Sequence, residues 1–198
     1  MKRLTQITGA ILLAVALFVV CVIALTSGGN NPSATRSAVE TSRKRSVNLG
    51  SYSKMARLSM SEPDKQIAMP VKGVRTKQVA DTWGAARSGG RDHSGQDIFA
   101  RRGTPVYSAT NGYVLRVGEN DLGGKVVFIF GAGGRRYYYA HLDGFAPDLK
   151  AGDFVTTSSL LGYVGTTGNA KNTPPHLHFG VYGTRGAINP LPLLTERV

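Results

Sequence analysis

The sequence is poor in cysteine, and this excludes several kinds of site. Its 198 residues include one cysteine, Cys21, which lies in an apolar stretch near the N-terminus. A single cysteine rules out an intrachain disulfide framework, and the rest of the chain has no thiolate zinc site or cysteine nucleophile. Any metal bound by the rest of the chain must therefore be held by histidine, aspartate or glutamate.

Acidic residues are also scarce, because 12 Asp and Glu stand against 24 Lys and Arg, for a formal net charge of +12. Residues 1–77 carry 12 basic and three acidic side chains, whereas residues 78–198 carry 12 and nine. A basic N-terminal part favours anionic partners such as lipid head groups or wall polymers, or simply keeps a tail solvated. Nucleic acid is not an expected partner, because no binding motif or interleaving of aromatic and basic residues accompanies the charge.

Charge is absent from Ile7 to Leu25, a stretch of 19 residues that follows Lys2 and Arg3. About 20 apolar residues span a bilayer as a helix, whereas a secretory signal has an apolar core of about 7–15. We therefore predict an N-terminal transmembrane helix and membrane anchor in residues 1–26, with a cleaved signal segment as the alternative. Lys2 and Arg3 favour a domain outside the cytoplasm, although four basic residues between positions 36 and 45 oppose this orientation.

Large apolar residues are few in residues 27–66, which are rich in Ser, Asn, Thr, Lys and Arg. This composition predicts a basic flexible linker, with a short helix near Lys54–Met60 as the alternative. From residue 67 onward, short apolar runs alternate with glycine-rich turns, and no long amphipathic helix is evident. We predict an all-β domain, mainly an antiparallel β-sheet, over residues 67–198.

Two features of this region predict particular strands. Asn111-Gly112 predicts a hairpin that joins a strand ending at Tyr107 to one beginning at Tyr113. The apolar run Val126–Phe130 predicts a central strand that is covered on both faces.

The chain has four histidines, and all of them lie in the predicted sheet domain. In an extended chain His93 and Asp97 share a face, because they are four positions apart. His176 and His178 likewise share a face, with apolar residues between and after them directed to the core. Two such pairs on neighbouring strands would surround one cavity with the nitrogen and oxygen ligands that zinc prefers. Spacing alone does not decide which two of the four histidines, including His141, would join Asp97.

The sequence resembles the M23 family of metallopeptidases, the lysostaphin or LytM type, over residues 67–194. The resemblance rests on segments in one order and with family-like spacing: Gly90–Ile98, Gly103–Val106, Asn111–Val114, Tyr139–Leu142, Gly152–Asp153, Gly162–Gly165, His176–Phe179 and Asn189–Pro190.

The resemblance implies a small antiparallel β-sheet with the site in a groove, and it implies a role for each site residue. His93, Asp97 and His178 correspond to the ligands of one Zn²⁺ per chain. His141 and His176 correspond to the two catalytic histidines that do not bind the metal. Their division between general base and oxyanion support is left open.

The implied function is a zinc metalloendopeptidase that hydrolyses peptide cross-links of bacterial peptidoglycan, so the expected partners are peptidoglycan peptide stems. The expected location is the bacterial cell envelope, with the protein anchored in the inner membrane and its domain in the periplasm, or secreted to the periplasm after cleavage. The alternative is a non-enzymatic envelope regulator or a peptidoglycan-binding activator of another wall hydrolase. Such relatives typically lose metal ligands, whereas all five positions are intact here.

Overall fold

A computed structural model of the protein describes residues 49–87 and 90–197. The predicted membrane segment 1–26 and residues 27–48 of the predicted linker lie outside these ranges. Within the described ranges, no helix is both long enough and apolar enough to cross a membrane.

One α-helix and thirteen short strands make up the regular structure of the described residues. In chain order they are α1 (Leu49–Met60), β1 (Ile67–Ala68), β2 (Ala86–Arg87), β3 (Arg91–Asp92), β4 (Gln96–Phe99), β5 (Pro105–Tyr107), β6 (Gly112–Asn120), β7 (Gly124–Gly131), β8 (Arg136–Phe145), β9 (Phe154–Val155), β10 (Leu160–Val164), β11 (His176–Gly183), β12 (Gly186–Ile188) and β13 (Leu194–Thr195). Short 3₁₀ turns occur at Thr76–Gln78, Ala132–Gly134, Gly168–Ala170 and Leu191–Leu193.

The main sheet has nine strands and is antiparallel throughout. Its long path runs β12-β11-β8-β7-β6-β9, while β4 pairs with β11, and β10 pairs with both β5 and β8. The predicted antiparallel all-β domain is thus confirmed. The strand predicted at Val126–Phe130 lies within β7, between β6 and β8, so its central position is confirmed as well.

The hairpin predicted at Asn111-Gly112 is wrong. Strand β5 pairs with β10, and β6 pairs with β7 and β9. Gly112 is the first residue of β6, and a Cβ there would lie 2.2 Å from the Phe130 carbonyl oxygen. The glycine therefore permits a close approach between β6 and β7. In the sequence this requirement looks the same as the Asn-Gly of a hairpin turn.

The described end of the predicted flexible linker is ordered. Residues Leu49–Met60 form α1, which is the alternative that the sequence left open and which begins five residues earlier than expected. Beyond the helix, the carboxylate of Asp64 accepts a hydrogen bond from Thr110, and its carbonyl accepts one from Arg135 at 2.6 Å. Helix α1 itself packs against the 132–134 turn at the end of β7. Tertiary contacts thus order a segment whose polar composition predicts a flexible chain.

The hydrophobic core lies beneath the main sheet and receives alternate side chains of its strands. Its largest fully buried apolar and aromatic members are Met69, Val71, Ile98, Val106, Ile129, Tyr137, Tyr139, Leu142, Leu161, Leu177 and Phe179. Strand β1 pairs in parallel with β13, so the two ends of the sheet domain lie side by side.

Candidate active site

The two predicted ligand motifs lie on adjacent strands, as expected. Strand β4 pairs with β11 so that Asp97 lies directly opposite His178. Leu177 and Phe179 are fully buried in the core, which leaves His176 and His178 on the other face of β11. His93 precedes β4 and is also buried, so three motif residues meet at one point.

The ligand atoms of His93, Asp97 and His178 form a closed triangle. His93 Nε2 lies 2.8 Å from His178 Nδ1, and each of these nitrogens lies 3.1 Å from Asp97 Oδ1. Tetrahedral zinc with ligand bonds of about 2.0–2.2 Å requires ligand atoms roughly 3.3 Å apart. The three atoms therefore match one face of such a tetrahedron to within about half an ångström, and they fit a zinc ion.

The protonation states of the three residues also suit a metal. The Nδ1–H of His93 is assigned as donor to the Thr82 carbonyl at 2.6 Å, which leaves Nε2 with a free lone pair. Burial lowers the pKa of His178, so its imidazole is neutral. Burial opposes ionisation of Asp97, but the neighbouring His178, His93 and Arg87 side chains outweigh it and hold the pKa of Asp97 far below its usual range. Metal ligands must be deprotonated in this way.

A buried hydrogen-bond network, which the sequence pattern does not predict, supports the triangle. Fully buried Gln96 accepts hydrogen bonds at Oε1 from the Thr82 amide and hydroxyl, both at 2.9 Å. Its amide donates to Asp81 and Asn189 at 2.8 and 3.2 Å. The Thr82 hydroxyl in turn accepts from the Asp97 amide at 3.0 Å, so Thr82 holds two ligands at once. The one sign of this network in the sequence is the polar Gln96 next to the candidate ligand Asp97, in a short strand that otherwise holds apolar residues.

His176 lies beside the triangle, with its ring fixed from behind. Its Nδ1 lies 2.8 Å from the Pro174 carbonyl, which fixes the proton on Nδ1 and leaves Nε2 free to accept one. That Nε2 is 3.8 Å from Asp97 Oδ1. The ring of Phe99 covers one side of the imidazole, at 5.3 Å between centroids.

His141 reaches the same point from β8 through an unusual backbone. Its φ is 61°, in the left-handed region that residues other than glycine rarely adopt. The β7–β8 register shifts beside it, and its amide donates to the Gly123 carbonyl at 2.7 Å. This bulge turns the side chain toward His176, with 5.0 Å between ring centroids. Strained backbone of this kind is concentrated at functional sites.

The imidazole of His141 is neutral near pH 7. Burial is the main cause and lowers its pKa to about 4, although a hydrogen bond to the Thr167 carbonyl works in the opposite direction. That bond, 2.9 Å from Nδ1 to the oxygen, places the proton on Nδ1. Nε2 of neutral His141 is therefore an acceptor, and it can donate to an oxyanion only after it has gained a proton.

These residues line a groove of about 740 Å³. One wall is formed by the β2–β3 strand pair, and the other includes Leu122 and the 169–173 segment. Of the three consecutive tyrosines of β8, only Tyr138 lines the groove, because Tyr137 and Tyr139 are buried in the core. All five predicted site residues are thus brought together in one groove.

A comparison with known protein families decides the relationship of the chain. The family model described as "Peptidase family M23" matches residues 91–190, which contain all five site residues and slightly more than half of the chain. The chain belongs to peptidase family M23.

Named relatives and solved structures agree with this membership. The M23 chain is 42% identical over 112 residues to the L-Ala–D-Glu endopeptidase of Bacillus subtilis, covering 53% of this chain and 34% of that protein. It is similar to the catalytic domain of the antimicrobial peptidase lysostaphin from Staphylococcus simulans, with a TM-score of 0.52, 29% identity and coverage of 59% and 92%. It is also similar to a zinc-containing peptidase from Vibrio cholerae, with a TM-score of 0.54, 28% identity and coverage of 65% and 39%. The match to the Bacillus subtilis relative thus spans about a third of that protein.

Proposed function

We propose that this protein is a zinc metalloendopeptidase that hydrolyses peptide cross-links of bacterial peptidoglycan. The observation that carries the proposal is the closed triangle of His93, Asp97 and His178, with two further histidines beside it in an open groove. A relative from Vibrio cholerae that is named "Peptidoglycan DD-endopeptidase ShyB" supports the choice of substrate. A regulator without catalytic activity has no need for two buried histidines placed beside the three ligands.

His93, Asp97 and His178 would hold the zinc ion. Bound there, zinc would supply Lewis-acid activation of a water molecule and of the scissile carbonyl. The groove leaves room for the peptide on the side of the triangle that faces His141 and His176.

We assign the general base to His176, because its Nδ1 faces the Pro174 carbonyl, its Nε2 faces the groove, and a positive charge gained there would lie 3.8 Å from Asp97 Oδ1. His141 presents a second accepting nitrogen, which can orient the attacking water through a hydrogen bond. Oxyanion support from His141 would begin only once its Nε2 carries a proton.

The proposal is tested with purified protein that lacks residues 1–26, incubated with intact peptidoglycan with and without a chelator. Two variants separate metal binding from chemistry. His178→Ala is expected to lose both zinc and cleavage, whereas His176→Ala is expected to keep zinc and lose cleavage. Metal content and mass spectrometry of released fragments are the two measurements, and the fragments identify the bond. Stoichiometric zinc without any cleavage would reject the enzyme in favour of a regulator or an activator of another hydrolase.

We further propose that residues 1–26 anchor the protein in the inner membrane and that the domain works in the periplasm. The support is the 19-residue uncharged stretch behind Lys2 and Arg3. Fractionation of the producing cells tests this location. Full-length protein is expected in the membrane fraction and accessible to protease added to spheroplasts, whereas a shortened soluble periplasmic form would indicate a cleaved signal segment.

A further inference from the structure

One wall of the groove carries an arrangement of charge that the fold does not need. Strands β2 and β3 are two residues each, both are exposed, and their pairing places Arg87 directly opposite Arg91. Like charges directly opposite each other destabilise a strand pair. Two arginines at these positions therefore weaken the β2–β3 pair, so the stability of the fold does not explain their presence.

Both arginines line the groove beside the metal centre. Arg87 reaches far enough to donate a hydrogen bond to Asp97 Oδ2, while Asp97 Oδ1 faces the two ligand histidines. The side chain of Arg91 is exposed and has no hydrogen-bond or ion-pair partner among the described residues. Its guanidinium is therefore available to a ligand.

The other charged residues of the groove do not balance the positive charge of these two arginines. The carboxylates of its described lining belong to Asp92 and Asp97. Asp97 is committed to the histidines and Arg87, and a bound divalent cation would add two positive charges at the same place. Only Asp92 is left to balance Arg91, so the loaded groove is positive.

We propose that Arg91 binds a carboxylate of the substrate, with Arg87 adding positive charge beside it, and that this makes the enzyme selective for acidic stem peptides. The selected peptides carry a free α-carboxylate next to the scissile bond, and the disfavoured ones carry a carboxamide there or consist of glycine. A guanidinium matches a carboxylate with two parallel N–H donors, whereas an uncharged amide accepts more weakly. This inference rests on the proposed peptidase function and specifies its substrate class.

The experiment compares two synthetic stem peptides that differ only in a free α-carboxylate or its carboxamide. Cleavage by the zinc-loaded wild type is expected to favour the acid by about tenfold in kcat/KM, the size of one charge-assisted hydrogen bond in an open groove. Arg91→Gln is expected to abolish the preference by slowing cleavage of the acid only, with zinc content unchanged. Arg185→Gln, an exposed arginine on the turn between β11 and β12, is the matched control and keeps the preference.

Affinities for the same two peptides separate this inference from the proposed function. They are measured by calorimetry on zinc-loaded His176→Ala protein, with and without Arg91→Gln. Equal cleavage of acid and amide, together with equal affinity for them, would contradict carboxylate binding by Arg91 and leave the proposed peptidase function intact. If the wild type cleaves neither peptide nor peptidoglycan, the peptidase function fails. The affinities then test carboxylate binding by themselves. Tighter binding of the acid that is lost in Arg91→Gln supports binding by Arg91, whereas equal affinities for acid and amide contradict it.

Discussion

At the candidate metal site, Gly95 leaves the space that the His178 ring occupies. A Cβ at Gly95 would lie 2.7 Å from His178 Cε1 and 2.8 Å from the Phe179 carbonyl oxygen. The backbone oxygen cannot move without disturbing the β4–β11 pairing, so the imidazole would have to shift away from the other ligands. The spacing of the motif, with a glycine midway between His93 and Asp97, thus reflects a contact with a residue far along the chain.

We expect Gly95→Ala to weaken zinc binding by about 10–100-fold, the range found when residues that support a metal ligand are changed. Cleavage at limiting zinc should fall in parallel and recover partly when zinc is added in excess. Gly144→Ala is the matched control, because a Cβ at Gly144 has no atom within 4 Å and the residue lies in the same sheet. Competition with a chromophoric chelator measures both affinities, and equal affinities would show that the His178 ring does not occupy this space.

Thr82 supports two of the candidate ligands. Its carbonyl fixes the His93 ring, and its hydroxyl accepts from the Asp97 amide. Its amide and hydroxyl also both donate to Gln96. Thr82→Val keeps the shape but leaves the Asp97 amide and Gln96 without their hydroxyl partner. We expect zinc affinity to fall by about tenfold or more, while Thr82→Ser, which keeps the hydroxyl, should bind zinc like the wild type. Isothermal titration with zinc decides the matter, and a valine variant of wild-type affinity would contradict this role.

Part of the site could be predicted from patterns of residue spacing in two strands, which place His93 with Asp97 and His176 with His178, whereas the part assigned to His141 and the division of roles rest on the resemblance to the M23 family. The alternation of His176 and His178 with buried Leu177 is such a pattern. Thr82 and Gln96 could not be predicted in this way. Their role depends on a loop carbonyl that meets His93 only after the chain has folded, and spacing along the chain carries no trace of that contact.

At the scale of elements, strand β8 depends on a bulge that no periodicity revealed. Nothing in the sequence around Tyr139–Leu142 marks an irregular position, but the backbone of His141 is left-handed and redirects its side chain into the groove. The same limit explains the error at Asn111-Gly112. A glycine that permits close approach and a glycine that forms a turn look alike in the sequence, so pairing partners had to come from the structure.

The left-handed backbone of His141 predicts a reversal of the usual order of stability. At an ordinary strand position a protein with glycine is less stable than one with alanine. At a φ of 61°, however, glycine avoids the steric cost of a Cβ. We expect His141→Gly to be more stable than His141→Ala by about 1 kcal/mol in urea unfolding of the metal-free protein. At the neighbouring buried position, Ala140→Gly should instead reduce stability. An alanine variant as stable as the glycine variant would show that the bulge relaxes once the imidazole is removed.

At the scale of the whole molecule, the two ends of the sheet domain are held together by a residue close to the C-terminus. The guanidinium of Arg197 donates to the carbonyls of Met69 at 2.9 Å and Ser108 at 3.0 Å, and to that of Thr157. It also lies 4.9 Å above the ring of Tyr107. One side chain thus connects the segments after β1, β5 and β9, beside the parallel pairing of β1 with β13.

Arg197→Ala should therefore destabilise the fold without altering the groove, which is built from other segments. We expect a loss of about 2 kcal/mol in the free energy of unfolding, because several charge-assisted hydrogen bonds disappear and leave partly buried carbonyls unpaired. Arg185→Ala, at an exposed turn, should change the same quantity by no more than about 0.5 kcal/mol. Urea unfolding measures both, and zinc affinity at low denaturant should match the wild type in each variant. If Arg197→Ala were as stable as Arg185→Ala, the pairing of β1 with β13 alone would hold the two ends together.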